Sequence, residues 1–185
     1  MSSRVIPEPW LSFLREMDGF LREETHFHCL GGFVVTMFYG STRTTADVDV
    51  ILFVPRPGYV SLIELAGVGS PLHKKYGVYL DSVTIAAVPI DYDSRLTEMF
   101  AGSFKNLRLL ALDPYDIALS KIERNIERDR EDILYLAKAI PFDLDILKQR
   151  YTEELRPDLA IPEREDLTLK LWIEMIEEQR EQPAR

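Results

Sequence analysis

The sequence predicts a mixed α/β (α+β) fold, in which a small mixed β-sheet is flanked by helices and followed by a helical C-terminal region. Apolar runs rich in β-branched residues, which are typical of buried strands, alternate with helical patterns over residues 1–112. From residue 113 onward, helical patterns follow one another without a further strand signal. We therefore predict two parts: an α/β core over 1–112, and a helical region over 113–185 that packs on it.

The individual elements follow from local patterns, taken in chain order. Apolar residues at helical spacing after two prolines predict a first helix over 7–24. After a glycine pair, the apolar segment 33–38 fits either a strand or a helix. A nearly continuous apolar run over 48–54 predicts a strand buried on both faces. The remaining predicted elements are short helices at 59–66 and 71–76, strands at 78–88 and 107–112, the start of a helix within 91–100, interrupted helices from 113 to about 155, and a last helix over about 164–180.

The composition excludes several classes of protein. The chain has 185 residues, 46% hydrophobic and 29% charged, which fits a globular domain rather than a disordered chain. No stretch approaches the roughly 18 apolar residues of a membrane span, and the N-terminus has no signal-peptide core. The single cysteine, Cys29, suits a reducing compartment. We therefore expect a cytoplasmic protein with no membrane partner. Its net charge of −9 weighs against binding of a long nucleic acid through the overall field.

The segment Asp47-Val48-Asp49 carries the strongest chemical signal. Spacing of two residues on a strand places both carboxylates on one face, at the mouth of a buried apolar run. Two like charges near a region of low dielectric repel each other and are poorly solvated. A divalent cation between them removes both costs, and Mg²⁺ prefers such oxygen ligands. Other acidic pairs at this spacing lie in polar or helical settings, where a solvated surface is the simpler interpretation.

Residues upstream of this pair indicate a phosphate site. Gly31 and Gly32 follow an apolar segment, and glycines there allow a phosphate to approach the backbone N–H groups. Ser41 and Arg43 lie a few residues before the carboxylates, and an arginine can grip phosphate oxygens with two hydrogen bonds. A tight turn is the alternative explanation for each glycine.

Together these residues carry a family resemblance. The stretch LGGFVVTMFYGSTRTTADVDV resembles the active-site signature of polymerase-β-like nucleotidyltransferases, in which a glycine pair precedes a strand with alternating aspartates. The variant looks most like minimal bacterial and archaeal members, including the AbiEii-type toxins of abortive-infection systems and related uncharacterised nucleotidyltransferases. A second stretch, DPYDIALSKIERNIERDREDI, is similar to the helical segment of those proteins. The resemblance covers about residues 28–54 and 107–137.

The resemblance implies a nucleotidyltransferase-type sheet and a set of metal ligands. Asp47 and Asp49 match the two carboxylates that bind two Mg²⁺ ions. Asp81 is the best match to a third, catalytic carboxylate, because a charge inside an apolar strand needs a reason. Asp91 and Asp93 are its rivals, although they look more like a turn and a helix cap. An edge-strand carboxylate facing water is the alternative interpretation of Asp81.

The resemblance also implies groups that hold the triphosphate. Gly31 and Gly32 match the phosphate-loop pair, with Ser41 and Arg43 beside them. Lys121 matches a helical lysine that reaches the triphosphate, although most helix lysines are simply solvated. Two acidic residues that follow it are expected either to orient Lys121 or Arg128 or to form ordinary helix salt bridges; these are Asp129 and Asp132.

The implied function is transfer of an NMP from an NTP to an unknown hydroxyl acceptor by a two-Mg²⁺ mechanism. The acceptor is an RNA 3′ end, a protein hydroxyl or a small molecule. A role in a toxin–antitoxin or abortive-infection system, with a cognate antitoxin protein, is a further expectation. The alternative is a catalytically degenerate module of the same fold that acts by binding a protein partner.

Two further patterns have competing explanations. The spacing His26-x-His28-Cys29 resembles a metal motif, but a half-buried strand before the glycine pair is the favoured interpretation. An apolar stripe on the last predicted helix fits either a homodimer seam or, as we favour, packing on the domain's own core. The stripe consists of Leu167, Leu171, Trp172 and Met175.

Overall fold

The computed structural model describes residues 5–56, 58–84 and 86–182, and the side chain of Tyr59 also lies outside this description. The described residues divide into two units. The first contains the residues up to Thr84 together with Leu96–Leu112, and the second contains the residues from 86 to Arg95 and from Asp113 onward. The predicted division into a core over 1–112 and a helical region over 113–185 that packs on it stays a prediction.

A five-stranded mixed sheet forms the centre of the first unit. Its strands lie in the order β3-β2-β1-β5-β4. Strand β1 pairs with β2 antiparallel and with β5 parallel, β3 pairs with β2 parallel, and β4 pairs with β5 antiparallel. The mixed α/β fold class is therefore confirmed. The strands are β1 (Thr25–Leu30), β2 (Asp47–Val54), β3 (Tyr79–Ser82), β4 (Thr97–Met99) and β5 (Leu107–Ala111).

Four helices accompany this sheet: α1 (Trp10–Phe20), α2 (Gly31–Met37), α3 (Tyr59–Ala66) and α4 (Pro71–Tyr76). Alternate strand residues such as Val48, Val50 and Phe27 are fully buried, whereas those between them on β2 are half-exposed. This alternation is the pattern of a sheet with one face in the core and one face open. The expectation that the apolar run of β2 is buried on both faces is therefore wrong for Ile51 and Leu52, which are half-buried, and for Val54, which is exposed.

Several predicted boundaries differ from the observed ones. The segment 33–38 is helical and forms most of α2. The strand predicted over 78–88 ends at Ser82. Val83 N still donates a hydrogen bond to Val50 O (2.9 Å), but the described residues beyond it leave the sheet. Ile85 lies outside the described residues. The helix expected within 91–100 is a 3₁₀ turn followed by β4.

The second unit is helical. Asp113 caps its first helix as predicted, because its carboxylate accepts a hydrogen bond from Tyr115 N (2.8 Å). Within the described residues, no helix of either unit combines the length and apolar character needed to cross a bilayer. The elements are α5 (Pro114–Leu119), α6 (Glu127–Ala139), α7 (Leu144–Arg150), a π-helical turn (Tyr151–Leu155), a 3₁₀ turn (Arg156–Asp158) and α8 (Pro162–Glu181).

The residues before β4 belong to the helical unit because of one buried ion-pair network. Asp116 on α5 is fully buried and accepts two hydrogen bonds from Arg95, at 2.9 and 3.0 Å. Arg95 also donates to Glu154, and Arg150 donates to Asp116 (3.1 Å). Burial raises the pKa of Asp116, and hydrogen bonds from Arg95 act in the opposite direction. The network fixes the 3₁₀ turn against the helices.

The apolar stripe of α8 is divided rather than continuous. Trp172 is buried in the helical unit, where its Nε1 donates to Asn125 Oδ1 (3.0 Å). The favoured interpretation, packing on the chain's own core rather than in a homodimer seam, is therefore confirmed for Trp172. Leu167 and Leu171 are exposed. The homodimer itself stays a prediction, and the buried Trp172 is not part of the surface that it would use.

Candidate active site

Three carboxylates meet on the open face of the sheet in the first unit. Asp47 and Asp49 lie two residues apart on β2, and Asp81 lies on β3 in register with Asp49. Each offers one oxygen, and these oxygens lie within 4.8 Å of one another. Among the described residues, this is the one group of three potential metal ligands. Hard carboxylate oxygens at such separations fit Mg²⁺, which would also relieve the mutual repulsion of the three charges.

Two hydroxyl-bearing residues surround Asp47. Thr45 Oγ1 donates to Asp47 Oδ1 at 2.8 Å. Tyr79 lies in register with Asp47 on the neighbouring strand, and its ring contacts His73 on α4 with centroids 4.9 Å apart. Burial, followed by the charges of Asp47 and Asp81, raises the pKa of Tyr79. The Tyr79 phenol therefore stays protonated at neutral pH and adds no negative charge to the site.

Gly31 brings the chain close to Asp49. Leu30, the last residue of β1, pairs with Asp49, and the chain turns directly into α2 at Gly31 with φ +69°. A Cβ at this position would overlap the carboxylate of Asp49. Only glycine combines this backbone conformation with this approach. Burial, followed by the charge of Asp49, raises the pKa of Cys29, which therefore remains a neutral thiol.

Gly32 lies against the loop that joins α2 to β2. A Cβ on Gly32 would overlap the guanidinium of Arg43, so this side chain rests on the Gly32 backbone. Arg43 N donates to Ser41 Oγ (3.3 Å), and Arg43 O accepts from Thr36 Oγ1 (3.1 Å). These contacts join Gly32, Arg43 and Ser41, and Gly31 precedes Gly32 in the chain, so the four residues predicted to bind phosphate lie together. Their binding of phosphate stays a prediction.

Lys121 lies in the second unit and is only 5% exposed. Its Nζ donates to Asp132 (3.0 Å) and to Asp129 (3.3 Å), so it is not a solvated surface lysine. Burial raises the pKa of Asp129, but hydrogen bonds from Arg124 and the charge of Lys121 lower it, and the net pKa is below its usual value. Asp129 and Asp132 thus contact Lys121 rather than the exposed Arg128. The contact of Lys121 with a triphosphate stays a prediction.

The weaker candidates do not join the carboxylate group. His26 pairs with Glu24 at the surface (3.0 Å), and His28 is buried within β1. No group of potential metal ligands in the described chain includes either histidine. The rivals Asp91 and Asp93 precede and form part of the 3₁₀ turn of the second unit, which agrees with their interpretation as turn residues.

Sequence reasoning missed Thr45 and Tyr79. Each lies two residues before a candidate ligand, Thr45 before Asp47 and Tyr79 before Asp81. The period of two along a strand was therefore available as a signal for Tyr79. Thr45 lies in the preceding loop, where no period applies, and its contact was visible only in the folded chain.

A comparison with known protein families agrees with the carboxylate group on this sheet. Residues 14–180 match the model of a family described as a nucleotidyltransferase of unknown function (DUF6036), and the chain belongs to this family. The general resemblance to nucleotidyltransferases is therefore confirmed, whereas the closer likeness to AbiEii-type toxins stays a prediction. Neither a curated protein nor a solved structure matches the chain.

Proposed function

We propose that this protein is an enzyme that transfers an NMP from an NTP to a hydroxyl acceptor, with two Mg²⁺ ions as cofactors. The observation that carries the proposal is the convergence of Asp47, Asp49 and Asp81 on one face of the sheet. Membership of a family described as a nucleotidyltransferase supports the same chemistry. Three neighbouring carboxylates repel one another unless a cation lies between them, and this repulsion favours a metal site over a chance grouping at the surface.

The three carboxylates have distinct roles in this proposal. Asp47 and Asp49 would hold both ions, and Asp81 would be a further ligand. When bound, the ions supply charge neutralisation for the triphosphate and a lowered pKa for the acceptor hydroxyl. The acceptor oxygen attacks the α-phosphorus, the bond to pyrophosphate breaks, and Asp81 takes the hydroxyl proton as general base. Catalysis is then mainly positioning and charge stabilisation.

In this proposal the triphosphate is bound by the glycine pair and the two residues beside it, Ser41 and Arg43. The backbone N–H groups of Gly31 and Gly32 and the hydroxyl of Ser41 provide donors. Arg43, whose guanidinium rests on Gly32, provides a positive charge and paired donors for the phosphate oxygens. These groups orient the triphosphate so that its α-phosphorus faces the acceptor.

The acceptor is proposed from charge. A net charge of −9 favours a protein hydroxyl or a small molecule over a long RNA, because the overall field repels a polyanion. The resemblance to AbiEii-type toxins extends the proposal to a toxin with a cognate antitoxin. The alternative of a catalytically degenerate partner-binding module is not favoured, because the set of three carboxylates expected of the enzyme is intact.

The assignment of the third carboxylate offers a direct test with matched controls. We expect wild-type protein to transfer label from an α-³²P NTP to a component of cell extract in the presence of Mg²⁺. Asp81→Asn is expected to lower the rate by about 100-fold or more, the usual effect of removing a general base. Asp91→Asn and Asp93→Asn, which remove the rival carboxylates, are expected to retain the wild-type rate.

Two outcomes would contradict the proposal. Transfer at the wild-type rate by Asp81→Asn would remove Asp81 from the chemistry. Absence of transfer from all four NTPs by folded wild-type protein would contradict the proposed reaction itself. Circular dichroism of each variant separates a loss of activity from a loss of fold.

A further inference from the structure

Thr45 connects the glycine pair to the first candidate metal ligand. Its Oγ1 donates to Asp47 Oδ1 at 2.8 Å and lies 3.3 Å from the Asp47 backbone carbonyl oxygen. On its other side, the same Oγ1 lies 3.2 Å from the position that a Cβ on Gly32 would take. The half-buried Thr45 thus contacts the carboxylate of Asp47 and lies beside Gly32, on the side where any other residue would carry its Cβ.

The surrounding loop holds this hydroxyl in place. Thr36 on α2 donates to Arg43 O (3.1 Å), and Arg43 N donates to Ser41 Oγ (3.3 Å). Two residues later the chain reaches Thr45, whose β-branched side chain has few rotamers. The loop and the rotamer together restrict where Oγ1 can lie, so the hydrogen bond to Asp47 requires little further ordering.

A hydroxyl bonded to one oxygen of a carboxylate restricts rotation of the whole group. Hydrogen bonds to charged acceptors are stronger than neutral ones, and partners of this kind orient metal-binding carboxylates in proteins. Asp47 therefore keeps its orientation in the absence of an ion, despite the nearby charges of Asp49 and Asp81.

We propose that Thr45 is a positioning residue that holds the Asp47 carboxylate ready for a divalent cation and couples it to the glycine pair. The inference rests on the proposed function, because it requires that Asp47 binds metal. Thr45 itself touches neither substrate nor ion in this proposal. It acts through the orientation of Asp47.

The test measures Mn²⁺ affinity without nucleotide, by electron paramagnetic resonance of the free ion. Thr45→Val keeps the shape of the side chain and removes the hydroxyl, and we expect the Kd for Mn²⁺ to rise about tenfold. Thr45→Ser restores the hydroxyl and is expected to restore most of the affinity. Thr25→Val is the matched control, because Thr25 lies at the end of β1 that is remote from Gly31, and its Oγ1 donates to Glu23 O (3.1 Å). The Mn²⁺ affinity of this variant is expected to match that of the wild type.

The outcomes separate this inference from the proposed function. Equal Mn²⁺ affinity of Thr45→Val and the wild type would overturn the role of Thr45 and leave the metal site intact. Absence of Mn²⁺ binding by folded wild-type protein would overturn the metal site and this inference with it. If Thr45→Val does not fold, Thr45→Ala provides the same comparison, with rescue by Thr45→Ser as the decisive result.

Discussion

Gly31→Ala is expected to weaken metal binding strongly while leaving the sheet folded. The new methyl group would overlap the carboxylate of Asp49, so this side chain must rotate away from Asp47 and Asp81. The positive φ of residue 31 adds a backbone cost of about 1–2 kcal/mol, which a folded domain tolerates. We expect the affinity for Mn²⁺ to fall by roughly 100-fold, the upper range for disturbed metal sites, as measured by electron paramagnetic resonance.

Gly102→Ala provides the matched control. Gly102 has φ +76°, close to that of Gly31, but a Cβ there would meet nothing within 4 Å. The two variants therefore share the backbone cost and differ only in the clash with Asp49. Equal Mn²⁺ affinities for the two variants would show that Asp49 does not lie over Gly31 as described.

Lys121→Met is expected to produce the largest loss of stability. It leaves the carboxylates of Asp129 and Asp132 facing each other, both almost fully buried, without the ammonium group that each contacts. Removing one partner of a buried ion pair costs about 3–5 kcal/mol. Urea unfolding followed by circular dichroism measures this change as a lower midpoint at an unchanged slope.

Two comparisons separate the loss of a buried ion pair from the effect of replacing any lysine by methionine. Lys148→Met removes a half-exposed lysine that pairs with an exposed aspartate, Asp145, and is expected to change stability by less than about 1 kcal/mol. Adding Asp132→Asn to Lys121→Met is expected to recover part of the lost stability, because it removes a buried charge that has lost its contact with the ammonium group, whereas Asp129 keeps its ion pair with Arg124. A cost for Lys121→Met no larger than that for Lys148→Met would contradict the buried network.

Local patterns predicted the strands and helices that depend on nearby residues. The capping aspartate Asp113, the apolar run of β2 and the helical spacing of α8 all lie where expected. The acidic pair and the glycine pair were visible for the same reason, since each occupies a few consecutive positions. Asp81 was found because a charge within an apolar segment is unusual, and it lies in the carboxylate group.

The features that sequence reasoning missed depend on partners far along the chain. The segment 92–95 carries a helix-like pattern, yet Arg95 is held by Asp116 and Glu154, 21 and 59 residues away. The exposure of each β2 residue depends on which face of the sheet the helices cover. A continuous apolar run has no alternation, so its pattern does not indicate the covered face. No local rule contains these pairings.

In the proposed function, the carboxylates of β2 bind a nucleotide through divalent metal. Calorimetry with ATP, GTP, CTP and UTP, with and without Mg²⁺, tests it most directly. We predict that wild-type protein binds at least one NTP only with the metal, and that Asp47→Asn/Asp49→Asn does not bind it. Asp91→Asn/Asp93→Asn, with the same spacing outside the site, is predicted to bind like the wild type. Equal binding by Asp47→Asn/Asp49→Asn, or absence of NTP binding by folded wild-type protein, would contradict the account.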